Sequence, residues 1–344
     1  MVDGPMVYDA ERTVIDIITG TWQAQALYAA VVLNIPDHIA AGQTDRRALA
    51  AATNATPDGI ERLMRLLVAL GVFTEAEPNG YGLSPVGEKL RTGVDGSLRD
   101  MCRLYGEEFY QAWGSIVPAI TAGEPGFRQA FGKSLPEYLA VTPGAGAKFQ
   151  RTMNAGGSFF ADAASVFDFA GRRTVVDVAG GGGLLLGNVL RAHPHLRGIL
   201  FDLPHIIPLG ERQLAEMVGT ERTEVIAGSM FERVPRGADV YMLSRVLQDW
   251  DDTDCVRLLT NCRAVMADSA RLLIIERVVP EDGSALLPLL WDLHLLMMVG
   301  GRERTLPGYR SLLDRAGLRL ETVHPLALET SLLVAAPATT LGQM

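Results

Sequence analysis

Short apolar runs recur along the second half of the chain and alternate with stretches of helical spacing. The runs predict strands at residues 174–178, 196–201, 224–227, 239–243, 271–276, 319–324 and 331–336. Apolar residues spaced as on one helix face predict helices at 184–193, 251–266 and 307–316. Strands that alternate with helices indicate an α/β fold on a doubly wound, seven-stranded sheet, whose last two strands are joined by a short turn.

The first predicted strand runs directly into four consecutive glycines, Gly180 to Gly183, before its helix begins. Glycine allows positive φ and a close approach of a ligand to the backbone, and the helix start offers free N–H groups. Asp202 ends the second strand, where a carboxylate accepts hydrogen bonds from ribose hydroxyls in folds of this kind. This order of elements predicts a mononucleoside site, and a glycine turn without a nucleoside is the simpler alternative.

The N-terminal region shows the order of a winged helix. Its predicted elements are helices within 14–41, 46–52 and 58–70 and a hairpin over 73–83 with the turn Pro78-Asn79-Gly80. Such a unit binds DNA or serves as a dimerisation scaffold. The longer helix carries Asp58 and Glu61, and the hairpin carries Glu75 and Glu77, which would repel phosphates. We therefore expect a second copy of the chain, and no nucleic acid, as its partner.

Charge, cysteine spacing and hydropathy indicate which partners and which cellular compartment to expect. The net charge of −9 argues against a nucleic-acid partner. Cys102, Cys255 and Cys262 lack metal-ligand spacing, which is typical of reduced thiols in a cytoplasmic protein. No basic-then-apolar leader is visible at the N-terminus. The apolar stretch 285–299 is shorter than the roughly 20 residues a bilayer requires, so we expect a buried helix and no membrane contact.

Aromatic residues are dense between the N-terminal region and the glycine turn, where a helical segment can line a pocket for a flat, apolar substrate. Ordinary core packing is the alternative for most of them. The sequence is accordingly divided into a winged-helix-like dimerisation domain at 1–97, a helical connector lining the substrate pocket at 98–169, and a nucleoside-binding domain at 170–344.

Five motifs follow one another in a family-specific order. They are Val176-Asp-Val-Ala-Gly-Gly-Gly-Gly, Phe201-Asp-Leu-Pro, Gly228-Ser-Met-Phe, Leu243-Ser-Arg-Val-Leu-Gln-Asp-Trp-Asp-Asp and Gly300-Gly-Arg-Glu-Arg-Thr. Together they resemble the S-adenosylmethionine-dependent O-methyltransferases of the caffeate/hydroxyindole type, in particular the bacterial members that tailor aromatic natural products. The resemblance covers nearly the whole chain. It implies a class I methyltransferase domain with a Rossmann-like sheet, an α-helical N-terminal dimerisation domain, a homodimer and S-adenosylmethionine as cofactor.

The resemblance also assigns roles to individual positions. The cofactor would be bound by Asp177, Gly180, Gly182, Asp202, Leu203, Ser229, Met230, Phe231, Ser244, Arg245 and Trp250. The acceptor substrate would contact Tyr105, Phe149, Met153 and Met298. Many relatives have Asp where Ser229 stands, so the contact with the adenine amine is expected to be weaker or water-mediated here.

The sequence departs from the family at its catalytic position. Relatives read His-Asp-Trp, and that His is the general base, whereas this chain reads Gln248-Asp249-Trp250. A glutamine amide cannot take a proton near neutral pH. Transfer could therefore be driven by positioning alone, with Gln248 orienting an acidic acceptor. Another group could instead take the proton, for which the candidates are Asp249, Glu276, Asp292 and His294. A reaction other than methylation is the third possibility.

Two further alternatives concern charged residues near that position. Some C-methylating relatives bind iron through the His-Asp pair and a later His, but this chain lacks the first His, so we expect no metal. Arg302, Glu303 and Arg304 belong to the site or form a solvated ion-pair turn.

The sequence thus predicts direct SN2 transfer of a methyl group to an oxygen of a small aromatic or polyketide-type acceptor. The alternatives are methylation of carbon or nitrogen, and hydroxylation, decarboxylation or pericyclic chemistry on the same scaffold. A winged-helix regulator is the non-enzymatic alternative.

Overall fold

A computed structural model describes residues 9–76, 80–155 and 157–338 of the chain. The chain forms two compact units: unit 1 is Met1–Tyr110 with Gly146–Gly156, and unit 2 is Gln111–Ala145 with Gly157–Met344. Residues Pro78 and Asn79 of the predicted hairpin turn lie outside the described residues. The three-part division of the sequence stays a prediction beside this grouping.

The first part of the chain is helical except for one hairpin. Its elements are α1 (Ala10–Val32), α2 (Ile35–Ala40), α3 (Arg46–Thr53), α4 (Pro57–Ala69), β1 (Phe73–Ala76), β2 (Gly80–Leu83), α5 (Pro85–Glu88), α6 (Arg99–Gly106), α7 (Glu108–Trp113), α8 (Ile116–Ala122), α9 (Gly126–Phe131), α10 (Leu135–Val141), α11 (Ala145–Asn154) and α12 (Ser158–Val166). The predicted helix–helix–hairpin order is confirmed. Helical spacing over 14–41 belongs to two helices, because Asn34 is left-handed and Pro36 is tolerated only in a first turn.

Caps and apolar faces explain why unit 1 folds this way. The Asp45 carboxylate caps α3 by accepting the N–H groups of Arg47 and Ala48, and Thr56 caps α4. The unit's core is a cluster of buried residues that includes Leu49, Ile60, Met64 and Phe73. By contrast, α1 carries large apolar side chains that are more than half exposed in the single chain: Val14, Ile15, Ile17, Ile18 and Trp22.

The rest of unit 2 alternates strands and helices. Its elements are β3 (Thr174–Val178), α13 (Leu184–Ala192), β4 (Arg197–Asp202), α14 (Ile207–Val218), β5 (Thr223–Ala227), β6 (Val240–Ser244), α15 (Asp252–Val265), β7 (Arg271–Arg277), α16 (Leu286–Met298), α17 (Leu306–Arg315), β8 (Leu318–Leu326) and β9 (Thr330–Pro337). All seven strands and all three helices predicted for this half are confirmed, with ends shifted by two residues at most.

The strands form one seven-stranded sheet in the order β5-β4-β3-β6-β7-β9-β8. Neighbouring strands from β5 to β7 are parallel, and β9 pairs antiparallel with both β7 and β8. One apolar cluster covers one face of the sheet with α15 and α17, and a second covers the other face with α12, α13 and α14. The carboxyl ends of β3, β4 and β6 therefore meet at one edge, beside the switch in strand order where ligands bind in such sheets.

The predicted apolar helix is present as α16, but the expectation that it is buried is only partly right. Pro288, His294, Leu295, Met297 and Met298 are buried, whereas Leu286, Leu289 and Leu290 are 69%, 39% and 50% exposed. The second half of the helix packs within unit 2, and these three leucines of its first half are exposed in the single chain.

Within the described residues, no helix is both long enough and apolar enough to cross a membrane.

Candidate active site

A tight turn connects β3 to α13 at the carboxyl edge of the sheet. Ala179, Gly181 and Gly183 have φ values of 56°, 57° and 75°, and only glycine adopts this region without strain. A Cβ on Gly180 would lie 2.6 Å from the carboxyl group of Asp177 beneath it. The turn thus requires its glycines, and it keeps side chains away from the backbone that a ligand would approach.

Asp202 ends β4 beside this turn. Its Oδ2 accepts the N–H of Gly181 at 2.8 Å, and its Oδ1 accepts the N–H of Leu203 at 2.6 Å. Burial raises its pKa, and the two N–H groups oppose that rise. Asp177 is 1% exposed, and burial together with the nearby Asp202 charge raises its pKa to about 7. Asp177 is therefore buried against Gly180, while Asp202 binds the backbone of the turn at Gly181.

The residues after β5 form the next side of this region. The Gly228 N–H donates to the carbonyl of Asp202 at 2.9 Å, which ties the two strand ends together. The Asn261 side chain donates to the carbonyl of Met230 at 2.9 Å. The rings of Phe231 and Trp250 meet edge to face at 4.7 Å. The predicted adenine-lining segment and Trp250 are thus brought together within unit 2.

The end of β6 presents a strained residue and an unpaired hydroxyl. Arg245 has a φ of 55°, and its guanidinium lies 5.5 and 5.4 Å from the rings of Phe159 and Phe160. The Oγ of Ser244 is buried and has no hydrogen-bond partner among the described residues. A buried hydroxyl without a partner is costly, so this atom is suited to a polar ligand group at the same edge.

Gln248 lies in a short 3-10 turn, Leu247–Asp249, that several groups hold in place. Glu276 Oε1 accepts the N–H groups of Val246 and Leu247 at 2.9 and 2.8 Å. The Gln248 carbonyl accepts the Arg302 N–H at 2.8 Å. Asp249 follows Gln248 in the same turn and is exposed. The Gln248 Oε1 is buried without a partner in the described part of the chain. An unpaired acceptor atom is therefore available in the turn that follows β6.

The Gly300–Arg304 turn is not the solvated ion-pair turn that was one of two expectations. Glu303 and Arg304 are only 5% and 6% exposed. Arg304 donates to the carbonyls of Leu247 and Trp250 and to Asp252, which fastens the turn to the Gln248 segment. Arg302 is exposed, as in a surface turn, but Glu303 is buried and the Arg304 side chain holds neighbouring backbone.

Glu303 and Glu276 form a pair of buried carboxyl groups. Both oxygens of Glu303 and Oε2 of Glu276 lack hydrogen-bond partners among the residues described. The Arg277 guanidinium comes no closer to Glu303 than 3.9 Å. Burial raises the pKa of Glu276 to about 8, and burial with the charge of Glu276 raises that of Glu303 to about 9. The pair therefore retains protons at neutral pH.

The second half of α16 carries three predicted residues, of which Asp292 contacts Glu303. Asp292 Oδ1 accepts the N–H of Glu303 at 2.8 Å, and Met298 is buried. The indole N–H of Trp113 donates to His294 Nδ1 at 3.3 Å, and burial lowers the pKa of His294 to about 4. His294 is therefore neutral, and its basic nitrogen already accepts a hydrogen bond.

The remaining predicted substrate contacts lie in unit 1. Tyr105 is on α6, and Phe149 and Met153 are on α11, all half-buried. Lys148 on α11 pairs with Glu107 and Glu108, which anchors that helix within the unit. Contact of these side chains with an acceptor stays a prediction. In the described ranges, no three His, Cys, Asp or Glu side chains are grouped so that they could hold a metal ion.

Stability is expected to fall as pH rises, because the folded chain holds the protons of Glu276 and Glu303 that the unfolded chain releases. Both pKa values lie above the ordinary 4.5. From about pH 5 to 9 the folded state binds more protons, so the free energy of unfolding decreases, by at most roughly 1.4 kcal/mol per pH unit for each carboxyl. Glu303→Gln removes one such group, and denaturant melts at pH 6 to 9 should show a shallower decline.

Glu281→Gln is the matched control, because Glu281 is exposed and should leave the decline unchanged. Equal slopes for the wild type and Glu303→Gln would mean that Glu303 is ionised in the folded protein.

Comparisons with known proteins agree with this arrangement over most of the chain. A family described as an O-methyltransferase domain matches residues 113–319, and an O-methyltransferase dimerisation domain matches residues 15–93.

Individual relatives match along almost their full length. The chain is 41% identical to the 3-amino-4-hydroxybenzoate 4-O-methyltransferase of Streptomyces cremeus, over 95% of this chain and 90% of that protein. It is 38% identical to the phenazine-1-carboxylate N-methyltransferase of Pseudomonas aeruginosa, over 96% and 98%. A methyltransferase of calicheamicin biosynthesis, solved in its SAH-bound form, superposes with a TM-score of 0.85 at 32% identity, over 95% and 98%.

Proposed function

This chain belongs to the family of S-adenosylmethionine-dependent O-methyltransferases, and we propose on that premise that it methylates an oxygen of a small aromatic natural-product intermediate. Methyl transfer from S-adenosylmethionine is the activity of the family. One observation carries the proposal for this chain: the glycine turn, Asp202 and the unpaired Ser244 Oγ and Gln248 Oε1 lie along the carboxyl ends of β3, β4 and β6. That edge combines a backbone turn suited to a nucleoside with polar atoms that have no hydrogen-bond partner among the described residues.

The residues present fit S-adenosylmethionine. Asp202 is the group that would hold the ribose, and the backbone of Gly180 and Gly182 would receive the methionine portion. Phe231 and Trp250 offer ring surfaces to the adenine. When bound, the cofactor supplies an electrophilic methyl group on a sulfonium.

Gln248 is suited to orient the acceptor hydroxyl. Its Oε1 is buried and has no partner among the described residues, so this atom is available to accept a hydrogen bond. An acceptor O–H that donates to this oxygen would be held in a fixed direction. Orientation of this kind supplies several kcal/mol of rate acceleration, up to about 7–11 kcal/mol in the best cases. Direct SN2 transfer therefore needs no histidine at this position.

Hydroxylated aromatic carboxylic acids are the acceptor class that the relatives support. A hydroxybenzoate and a phenazine carboxylate appear in the names of two relatives that match over nearly the whole chain. The phenazine relative methylates nitrogen, so N-methylation is the second candidate function.

A homodimer formed through unit 1 is part of the proposal. The exposed apolar face of α1, which includes Ile17 at 74% and Trp22 at 66% exposure, is more than a single chain tolerates in water. The match of residues 15–93 to a dimerisation domain supports pairing through this region. Sedimentation equilibrium of the full chain should give the mass of two copies.

Gln248→His is expected to preserve or raise turnover. Histidine supplies a base at the position where relatives have one, and its ring can still bind the acceptor hydroxyl. Gln248→Met keeps the length but removes the hydrogen bond, and should lower kcat about tenfold. The measurement compares the steady-state rates of the wild type, Gln248→His and Gln248→Met. A collapse of activity in Gln248→His would show that the amide itself is required.

The function is tested by incubating the purified enzyme with CD3-labelled S-adenosylmethionine and a panel of hydroxybenzoates, hydroxynaphthoates and phenazine carboxylates. Mass spectrometry with NMR of the products identifies the methylated atom. We expect a labelled O-methyl group on at least one hydroxylated acid. Label found only on nitrogen would select the second candidate function, and no labelled product would contradict the proposal.

A further inference from the structure

The guanidinium of Arg304 bridges the two ends of the segment Leu247–Trp250, which carries Gln248. We propose that Arg304 is a positioning residue for methyl transfer: it fixes the place of Gln248 Oε1 relative to the Trp250 ring, and thereby the place of the acceptor relative to the cofactor. The inference rests on the proposed function. Arg304 acts through the backbone that it holds, and not by contact with the acceptor or the cofactor.

Hydrogen bonds from all three nitrogens hold the Arg304 guanidinium in place. Nη1 donates to the Leu247 carbonyl at 2.9 Å, and Nη2 donates to the Trp250 carbonyl at 2.8 Å. Nε and Nη2 donate to Oδ1 of Asp252 at 3.0 and 2.8 Å. The side chain is buried. One planar group therefore binds both ends of the segment and the first residue of α15, as the fixed fork of a guanidinium allows.

The end of β7 anchors the same segment through a second side chain. Glu276 Oε1 accepts the N–H groups of Val246 and Leu247 at 2.9 and 2.8 Å. Arg304 binds carbonyl groups of the segment instead, and its own carbonyl accepts the N–H of Val279, just beyond β7, at 2.9 Å. A carboxyl group thus binds the donors and a guanidinium binds the acceptors, so the segment is tied to the end of a buried strand on both counts.

The segment carries one group for each reactant. Gln248 Oε1, which has no partner among the described residues, is the atom proposed to orient the acceptor hydroxyl. The Trp250 ring meets Phe231 edge to face at 4.7 Å, in the region proposed for the adenine. Transfer requires the acceptor oxygen in line with the methyl carbon and the sulfur, so the separation of these two groups affects the rate. Arg304 holds a carbonyl on each side of Gln248, and its loss would release both groups together.

Neither the neighbouring donor nor a lysine can replace the guanidinium. The Cys255 thiol also donates to the carbonyls of Leu247 and Trp250, at 3.3 and 3.6 Å, but a thiol is a weak donor. The ammonium of a lysine is a compact charge without the planar fork that reaches separated acceptors. Arg304→Lys therefore keeps the charge and removes the geometry.

Arg304→Lys is expected to lower kcat by about 10- to 100-fold, because a displacement of about 1 Å near the reacting groups can cost about 100-fold. The affinity for S-adenosylhomocysteine should change by less than about fivefold, since the glycine turn and Asp202 are untouched. The rates are measured where circular dichroism and the stoichiometry of S-adenosylhomocysteine binding show a fully folded enzyme. A merely structural role would leave kcat of the folded enzyme at the wild-type value, and that result would overturn the assignment.

Arg222→Lys is the matched control. Arg222 donates through Nη1 and Nη2 to the carbonyls of Leu196 and Leu190 at 3.0 and 3.1 Å, so its guanidinium also holds two carbonyl groups. It directly precedes β5, at the edge of the sheet opposite the glycine turn. Arg222→Lys should lower the thermal unfolding midpoint and leave kcat unchanged. An equal loss of kcat in both variants would show a general effect of destabilisation and would also overturn the assignment.

Asp252→Ala is the milder variant and keeps the test open if Arg304→Lys does not fold. The Asp252 side chain is about half exposed, so its removal spares the core, while the Arg304 guanidinium loses the carboxylate that fixes its plane. kcat should fall roughly three- to tenfold, the effect of losing a typical hydrogen bond, and an unchanged kcat would overturn the assignment.

Failure of this inference is distinguishable from failure of the proposed function. If the wild type methylates none of the hydroxybenzoates, hydroxynaphthoates and phenazine carboxylates, the proposed function fails. If the wild type and folded Arg304→Lys methylate one of them with equal kcat, only the role of Arg304 fails.

Discussion

Asp202→Asn is expected to weaken S-adenosylmethionine binding by roughly 10- to 100-fold. A hydrogen bond to a charged group contributes about 1.5–3 kcal/mol, and the substitution replaces a carboxylate that can serve both ribose hydroxyls with a neutral amide. It also disturbs the glycine turn, because Oδ2 accepts the Gly181 N–H and Oδ1 accepts the Leu203 N–H. Calorimetric titration with S-adenosylmethionine and with S-adenosylhomocysteine measures the change.

Glu224→Gln is the control for this substitution. Glu224 is an exposed carboxyl on β5, the strand next to β4, and should not affect cofactor affinity. If Asp202→Asn changes neither the cofactor affinity nor the thermal unfolding, this carboxylate does not bind the ribose.

Gly301→Ala should lower the rate of methyl transfer about 100-fold while the sheet still folds. A Cβ on Gly301 would lie 2.2 Å from the carbonyl oxygen of Gln248 and 3.2 Å from the Cα of Asp249. Both obstacles are backbone, so the turn that carries Gln248 and Asp249 must move to relieve the clash. A displacement of about 1 Å at a catalytic group can lower the rate about 100-fold, and overpacking also costs about 1–3 kcal/mol of stability.

The neighbouring Gly308 supplies the control. A Cβ there would lie 3.4 Å from the nearest atom, which is ordinary van der Waals contact, so Gly308→Ala should retain activity. The two variants are compared by steady-state rates, circular dichroism and calorimetric binding of S-adenosylhomocysteine. Full turnover by Gly301→Ala would show that the position of the Gln248 turn does not matter for catalysis.

The central strands were predictable from the sequence because β3, β6 and β7 are buried on both faces and therefore read as continuous apolar runs. The turn after β3 was equally predictable, since Gly181 and Gly183 have positive φ and a side chain on Gly180 would clash with Asp177. The place of Asp202 followed from strand order alone, and the structure places it within hydrogen-bonding distance of Gly181.

Burial of charged residues was harder to predict. Arg302, Glu303 and Arg304 have the composition of a surface turn, and local pattern cannot reveal that Glu303 and Arg304 pack against the Gln248 segment. These residues belong to the motif Gly300-Gly-Arg-Glu-Arg-Thr, which resembles a family motif. That resemblance indicated that they belong to the site, which composition alone could not show. The contact between Trp113 and His294 joins positions that are 181 residues apart, so no local sequence pattern predicts it.

The prediction that α16 is fully buried was only partly right, because it was drawn from the apolar pattern of the helix alone. A helix that is apolar on nearly all sides predicts burial on every side, but Leu286, Leu289 and Leu290 are exposed in the single chain. The sequence shows that a helix face is apolar, but it does not show which chain or molecule covers that face.

The most direct test of the account is a crystal structure of the enzyme with S-adenosylhomocysteine and a hydroxylated aromatic acid. We predict the nucleoside over the Gly180–Gly183 turn, its ribose hydroxyls on the Asp202 carboxylate, and the acceptor oxygen within hydrogen-bonding distance of Gln248 Oε1. A nucleoside bound elsewhere, or an acceptor oxygen held away from Gln248 and Asp249, would contradict the account.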